Sequence, residues 1–346
     1  MIGARRQQAT GNGQQGMGLM PRRDGTLPSA SGSAITLEAV AYGKLNLTLD
    51  ILGKRPDGYH DLEMVMISVS LADRLRIQLG TGRPWTVTCD RGSIPQGEGN
   101  LCWKAARRYC DAAGLDPKGL SIHIQKNIPA QGGMAGGSSD AAAVLRALNG
   151  HYKRLSEPQL MELALEVGSD VPYCLFGGTA LARGRGELLT RLRPLPEELW
   201  FVLARPDFSV STPELFHEID RAGLSLRPDT AAMETAILRG DPEAMGRALA
   251  NAFEPLVAAR YPVVKELKSI MLTQGALGAC LTGTGSVVFG LFSSKFKAAA
   301  ATLKNSDSLV TCTFFCSRRG ITTKALSTLG GGVNRQDSTS RTISGA

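Results

Sequence analysis

Pro129-Ala130-Gln131-Gly132-Gly133-Met134-Ala135-Gly136-Gly137-Ser138-Ser139-Asp140 is the stretch around which the rest of this 346-residue chain is organised. Before it, Ser121-Ile122-His123-Ile124-Gln125 alternates polar and apolar residues, the period of a half-buried strand. After it, Ala141-Ala142-Ala143-Val144-Leu145-Arg146-Ala147-Leu148 is strong helix-forming sequence. The glycines therefore sit where a strand turns into the first turn of a helix. The first amides of a helix lack intrahelical partners and carry the positive end of its dipole, so an anion is stabilised there. Gly132, Gly133, Gly136 and Gly137 add positive φ angles and close backbone approach. Together these features predict a phosphate cradle. Ser138 or Ser139 is placed to cap the helix, or to reach a phosphate or its metal ion.

The two commonest phosphate loops do not fit. A Walker loop needs Lys after its last glycine, where this chain has Ser138 and Ser139, and the dinucleotide pattern G-x-G-x-x-G is missing from the stretch. A flexible glycine-rich linker would not be framed so tightly by strand and helix.

Whole-chain properties narrow the class. A chain of 346 residues can hold two domains or one large α/β domain. Hydrophobic content of 43% and charged content of 20% are ordinary for a globular protein. No apolar run approaches the ~20 residues that span a bilayer, so no membrane partner is expected. The net charge of +8 lies mainly in the two ends. Arg5, Arg6, Arg22 and Arg23 against Asp24 give +3, and Arg318, Arg319, Lys324, Arg335 and Arg341 against Asp337 give +4. The rest is near neutral, which weakens any case for a nucleic-acid groove. Seven cysteines without a C-x-x-C pair or a nearby histidine predict free thiols in a reducing, cytoplasmic setting and no zinc site.

Along the chain, residues 1–34 are Gly-, Gln-, Arg- and Ser-rich and lack an apolar period; they read as a disordered basic extension, with Met20 as an alternative start. Strands are expected over 39–49, 64–70 and 75–79, with Arg55-Pro56-Asp57-Gly58 as a turn followed by Tyr59 and His60. Lys44 falls mid-strand, where a solvated face is the ordinary reading. Helices are expected over 100–110 and 158–167. Asp170, between small residues and a long apolar run, admits two roles: a helix cap, or a functional carboxylate. Strands are expected over 178–183 and 199–204, then a helix-rich block from Pro213 to about Thr273. A second small-residue turn, Leu281-Thr282-Gly283-Thr284-Gly285, leads into a strand over 286–292; a helix over 295–303 and a strand over 309–315 follow. Residues 318–346 read as a disordered basic tail.

Taken in order, Lys44 and Asn46, the run from Pro129 to Asp140, Gly168-Ser169-Asp170-Val171-Pro172, and the turn from Leu281 to Gly285 resemble the GHMP small-molecule kinases. The resemblance covers residues 35–315. Asp57-Gly58-Tyr59-His60, the Ser-Ser-Asp-Ala-Ala end of the phosphate turn and Ser-Asp-Val-Pro resemble one branch in particular. Its acceptor is a cytidine diphosphate-linked methylerythritol of non-mevalonate isoprenoid synthesis. The resemblance implies an α/β (α+β) fold of two subdomains with a cleft between them, residues 35–184 binding ATP and 185–317 the acceptor. It implies ATP along residues 129–139, Mg²⁺ on the phosphates, and Lys44 and Asp170 as the catalytic pair. Asn46, Tyr59, His60 and Phe216, with Asp170, match acceptor-binding positions, the aromatic rings being available to stack on cytosine. Asp140, Glu187 and Thr284 are further candidates for metal or phosphate contacts. Two departures from the usual pattern stand out: Tyr42-Gly43 precedes the lysine where Pro-Ala is frequent, and the phosphate turn has Gln131 and Ala135 where glycine or another apolar residue is common.

Overall fold

In this computed structural model the described residues are 35–196, 198–295, 297–298, 310–315 and 322–326. The alternating sequence from Ile35 builds β1 (Ile35–Lys54), which turns at residues 55–59 and returns as β2 (His60–Leu79). Asp57 holds the turn, its carboxylate accepting the Tyr59 amide at 3.1 Å, with Gly58 at φ 86°. The two strands expected over 64–70 and 75–79 are one, because Ala72 and Asp73 stay paired with Tyr42 and Ala41.

The chain continues through β3 (Thr86–Cys89), α1 (Leu101–Ala113), β4 (Leu120–Gln125), α2 (Gly136–Tyr152), α3 (Glu157–Val167), α4 (Val171–Phe176), β5 (Thr179–Gly184) and β6 (Leu188–Arg191). Then come β7 (Trp200–Arg205), α5 (Thr212–Ala222), α6 (Thr230–Arg239), α7 (Pro242–Ala248), β8 (Ala250–Asn251), α8 (Glu254–Arg260) and α9 (Val263–Thr273). The last are β9 (Gly278–Leu281), β10 (Val288–Phe292), β11 (Val310–Phe315) and β12 (Thr322–Leu326). Local chemistry explains several starts: Asn100 caps α1 through the Cys102 amide, and Ser156 with Gln159 forms a capping box on α3.

The described strands form two sheets. One runs β12-β1-β2-β4-β3, with β5 and β6 continuing from β2 and β8 beside β1; the other runs β11-β7-β10-β9. Membership crosses the boundary expected after residue 184, since β6, β8 and β12 join the first sheet. β12 also lies within the segment expected to be disordered: its backbone pairs antiparallel with Thr36 to Val40, using the edge of β1 opposite β2. The expected extension over 1–34, most of the tail and most of the helix over 295–303 lie outside the described residues.

Irregularities in the pairing of β1 with β2 flank the middle of β1. Its register against β2 shifts between Tyr42 and Lys44 and again between Asn46 and Thr48. Ala39, Ala41, Leu49 and Ile51 join the core that packs on α1 and α2, whereas Leu45 and Leu47 join the core shared with Phe201 and Phe289 of the second sheet. Tyr42 pairs with Ala72 and Lys44 with Ser68, so the first shift leaves two extra residues on β2; the second, from Asn46–Met66 to Thr48–Val65, leaves one extra residue on β1. Lys44 and Asn46 alternate with Leu45 and Leu47 and so face the other way, Lys44 toward Asp170 and Cys174 and Asn46 toward Met64 and the Gly283 amide.

Candidate active site

The loop of residues 129–139 forms as the sequence predicts, but its glycines divide the work differently. Of its four glycines only Gly133 has a positive φ, 76°; the other left-handed positions are Gln131 (φ 55°) and Ala135 (φ 56°), the two departures from a glycine pattern. The remaining glycines are required by proximity. A Cβ on Gly132 would stand 2.7 Å from Val287 Cγ2, and one on Gly136 3.2 Å from Lys126 Nζ, whereas one on Gly137 would meet only Leu101 at 3.6 Å. Ala135 stands at the N-cap of α2, so neither serine caps it. Ser139 is buried and its hydroxyl donates to the Tyr42 carbonyl; Ser138 is half-buried beside the exposed Gly137.

The second small-residue turn packs against the first. A Cβ on Gly133 would lie 2.1 Å from the Thr282 carbonyl oxygen, and the Val287 amide donates to the Gly132 carbonyl at 3.3 Å. Gly133→Ala therefore combines a backbone clash with a left-handed alanine, a strain of about 1–3 kcal/mol from the dihedral alone. Calorimetric melting should show a drop of several degrees for that variant and none for Gly137→Ala.

Lys44 enters this junction from β1. Its amide donates to the Met134 carbonyl at 3.1 Å, and its ammonium donates to Asn46 Oδ1 at 2.6 Å. The solvated face considered for Lys44 is excluded, since the residue is only 4% exposed. Burial lowers its pKa from the ordinary lysine value, while Asp170 and then Cys174 pull it back up. Asn46 ties the group to the second turn: its Oδ1 accepts the Gly283 amide at 3.0 Å and its own amide donates to Thr282 Oγ1 at 3.1 Å.

Asp170 precedes α4 and makes no side-chain cap bond to it, so the structural role open from the sequence is not the one it performs. It is partly exposed and lies within electrostatic reach of Lys44 and of Cys174. The buried Cys174 thiol is pushed up to about 12, by burial first and Asp170 next, and stays protonated.

His60 and Phe216 come together beside the β1–β2 turn, with Tyr59 next to His60 in the chain. His60 and Phe216 stack on each other, centroids 4.4 Å apart and planes 19° apart, and Phe253 meets Phe216 edge-on at 5.0 Å. The rings read as open for stacking are thus partly engaged: Phe216 offers one face to His60, and Tyr59, 51% exposed, has the Arg185 guanidinium 3.7 Å from its ring centre. A Cβ on Gly186, next to Arg185, would lie 4.0 Å from the carbonyl oxygen of Ser169, the residue before Asp170. His60 Nε2 is 2.7 Å from Asp220 Oδ1, and Lys54 Nζ is 2.6 Å from Asp220 Oδ2.

Other sequence candidates have local duties. Glu187 accepts the Arg185 amide at 2.6 Å, and Thr284 shares a hydrogen bond with Thr212 at 2.9 Å. Asp140 is bound to Lys126 Nζ at 2.7 Å, and burial, then Asp73, raises its carboxyl well above the usual carboxylate range. Four contributors carried no distinguishing motif: Asn251, whose side-chain amide donates to the Leu281 and Gly283 carbonyls, Asp220, Arg185 and Cys174.

Comparison with known proteins bears on the class. Residues 100–178 match the GHMP kinases N terminal domain and residues 233–310 the GHMP kinases C terminal. The chain is 44% identical over 285 residues to a 4-diphosphocytidyl-2-C-methyl-D-erythritol kinase of Pelotomaculum thermopropionicum, covering 81% of this chain and 99% of that one. It belongs to the GHMP kinases. Another 4-diphosphocytidyl-2-C-methyl-D-erythritol kinase, from Caldicellulosiruptor saccharolyticus, is 42% identical over 75% of this chain and 90% of its own length. A crystal structure of 4-(cytidine 5'-diphospho)-2C-methyl-D-erythritol kinase superposes with a TM-score of 0.68 at 32% identity, covering 81% of this chain and 98% of that chain. Homoserine kinase from Cytophaga hutchinsonii reaches the same TM-score at 19% identity, over 84% of this chain and 97% of its own, and so shares the fold. As a GHMP kinase the chain is an ATP-dependent small-molecule kinase with the two-sheet α/β fold of that family. No helix among the described residues is long and apolar enough to cross a membrane.

Proposed function

We propose that this GHMP kinase phosphorylates the 2-hydroxyl of 4-diphosphocytidyl-2-C-methyl-D-erythritol with ATP, in the non-mevalonate route to isoprenoid precursors and in the cytoplasm. One observation carries the chemistry: the Lys44 backbone is bonded to the loop of residues 129–139 while its ammonium lies in reach of the uncapped Asp170. Phosphoryl transfer demands alignment of hydroxyl and γ-phosphate and stabilisation of charge on the transferring oxygens. The amides at the start of α2 serve the second need without reorganising. Asp170 accepts the proton of the acceptor hydroxyl as it attacks, and Lys44 orients the alcohol.

Mg²⁺ fits this donor set in a limited way. Among the described residues no group of three or more His, Cys, Asp or Glu could hold a metal. Magnesium needs only one or two protein oxygens when phosphates supply the rest, and Ser138 at the mouth of the loop would be such a donor. When bound it neutralises phosphate charge.

On the acceptor side, the close relation to proteins named for the cytidylated substrate and the Tyr59, His60 and Phe216 group support the same reading. Turnover with ATP against a panel of alcohols tests it. Reaction confined to 4-diphosphocytidyl-2-C-methyl-D-erythritol is expected, and equal turnover of mevalonate or homoserine would refute it. Tyr59→Ala should raise the acceptor KM about tenfold or more with kcat nearly unchanged, as loss of base stacking would. In the cradle, Gly137→Val should weaken ATP binding without a change in melting temperature, because its Cβ has room within the fold and not at a bound phosphate. Isothermal calorimetry with ATP reads this directly.

A further inference from the structure

Among the described residues, Asp73, Lys126 and Asp140 form the ion cluster whose side chains are all at most 3% exposed. Lys126 Nζ donates to Asp73 Oδ2 and, at 2.7 Å, to Asp140 Oδ2. The other Asp73 oxygen accepts two consecutive amides, Asn127 at 2.6 Å and Ile128 at 2.8 Å, and the Asn127 side chain returns a bond to the Ala72 carbonyl at 2.8 Å. Residues 126–128 lead into the glycine-rich loop, and Asp140 is the fifth residue of the helix that follows it. The cluster thus closes the loop at its base, and the Lys126 ammonium lies 3.2 Å from where a Gly136 Cβ would be. Burying three charges is costly, and an apolar trio of similar volume would stabilise a fold as well or better. What a hydrophobic trio would not supply is directional bonds that hold two ends of a backbone loop in one geometry.

We propose that Asp73 is a positioning residue for ATP: through the amides of Asn127 and Ile128, and through the ammonium it shares with Asp140, it locks the start of the phosphate loop to the beginning of the second turn of α2. This rests on the reading of residues 129–139 as the ATP cradle. Asp73 touches no substrate; it acts through the loop. Its position escaped the sequence because Asp73 falls between two strand-like runs and looks like a turn residue.

Asp73→Asn in the full chain keeps the size and removes the carboxylate. The expected result is an ATP KM, and an ATP dissociation constant measured without acceptor, raised about tenfold or more, as loss of charge-assisted bonds implies. The acceptor KM should stay within about twofold. A purely structural brace would lower the melting temperature and the active fraction but leave the ATP KM of the folded enzyme within about twofold, and that result overturns the proposal. If Asp73→Asn does not fold, the double variant Lys126→Met with Asp140→Leu removes the ammonium and the second carboxyl and cuts the tie to α2. An unchanged ATP KM there is equally fatal. Gly137→Val separates the two readings: if it weakens ATP binding and the cluster variants do not, the cradle stands and the role of Asp73 falls.

Discussion

Asp170→Asn should lower kcat by a factor on the order of 10² to 10⁴, the usual range for loss of a positioned general base. The amide keeps the shape of the side chain and cannot accept the acceptor's proton. Asp170 makes no cap bond to α4, so the variant should fold and melt as the parent does. The ATP KM should be nearly unchanged, because the phosphate loop does not depend on this carboxylate. A coupled assay of ADP release, run beside circular dichroism, is sufficient. Turnover within a few-fold of the parent in a folded variant removes Asp170 from the base role.

Lys44→Ala should cost about 10² to 10³ in kcat, the range seen when a preorganised donor is deleted from a developing charge. The effect should fall on kcat more than on either KM; a change confined to KM would make Lys44 a binding residue. Its environment adds a pH dependence with a definite sign. Burial lowers its pKa below the ordinary 10.5, with Asp170 opposing the shift. The active ammonium is lost as pH rises, so the alkaline limb of the kcat profile should begin below the ordinary lysine value. In Asp170→Asn the residual activity should fall off at still lower pH, because the opposing charge is gone. An alkaline limb that does not move between parent and variant would uncouple the two groups.

How far the site was legible can be followed residue by residue. The loop from Pro129 to Asp140 was visible because a phosphate-binding helix start is local: one strand, one turn and one helix, each with its own composition. Lys44 and Asp170 were nameable by resemblance, yet their local contexts left a solvated face and a helix cap open. Burial and the absence of a cap bond decide those questions, and both depend on what packs around the residue. The glycines taught a finer lesson. Their density marked the loop, but Gln131 and Ala135 carry left-handed turns while Gly132 and Gly136 are small because Val287 and Lys126 crowd them.

What the sequence determined by itself, then, was the periodic elements, the Asp57-Gly58 turn and the phosphate loop, all properties of short contiguous segments, and the kinase class, through the resemblance that several separate motifs carry together. Tertiary structure alone decided the register shifts that flank Lys44 and Asn46, the seating of Gly133 against Thr282, the pairing of His60 with Phe216 and Asp220, and the tie from Asp73 through Lys126 to Asp140. Each of these joins residues far apart in the chain. Their value comes from directional bonds and exclusion of water, which no single segment possesses until its partners have closed over it.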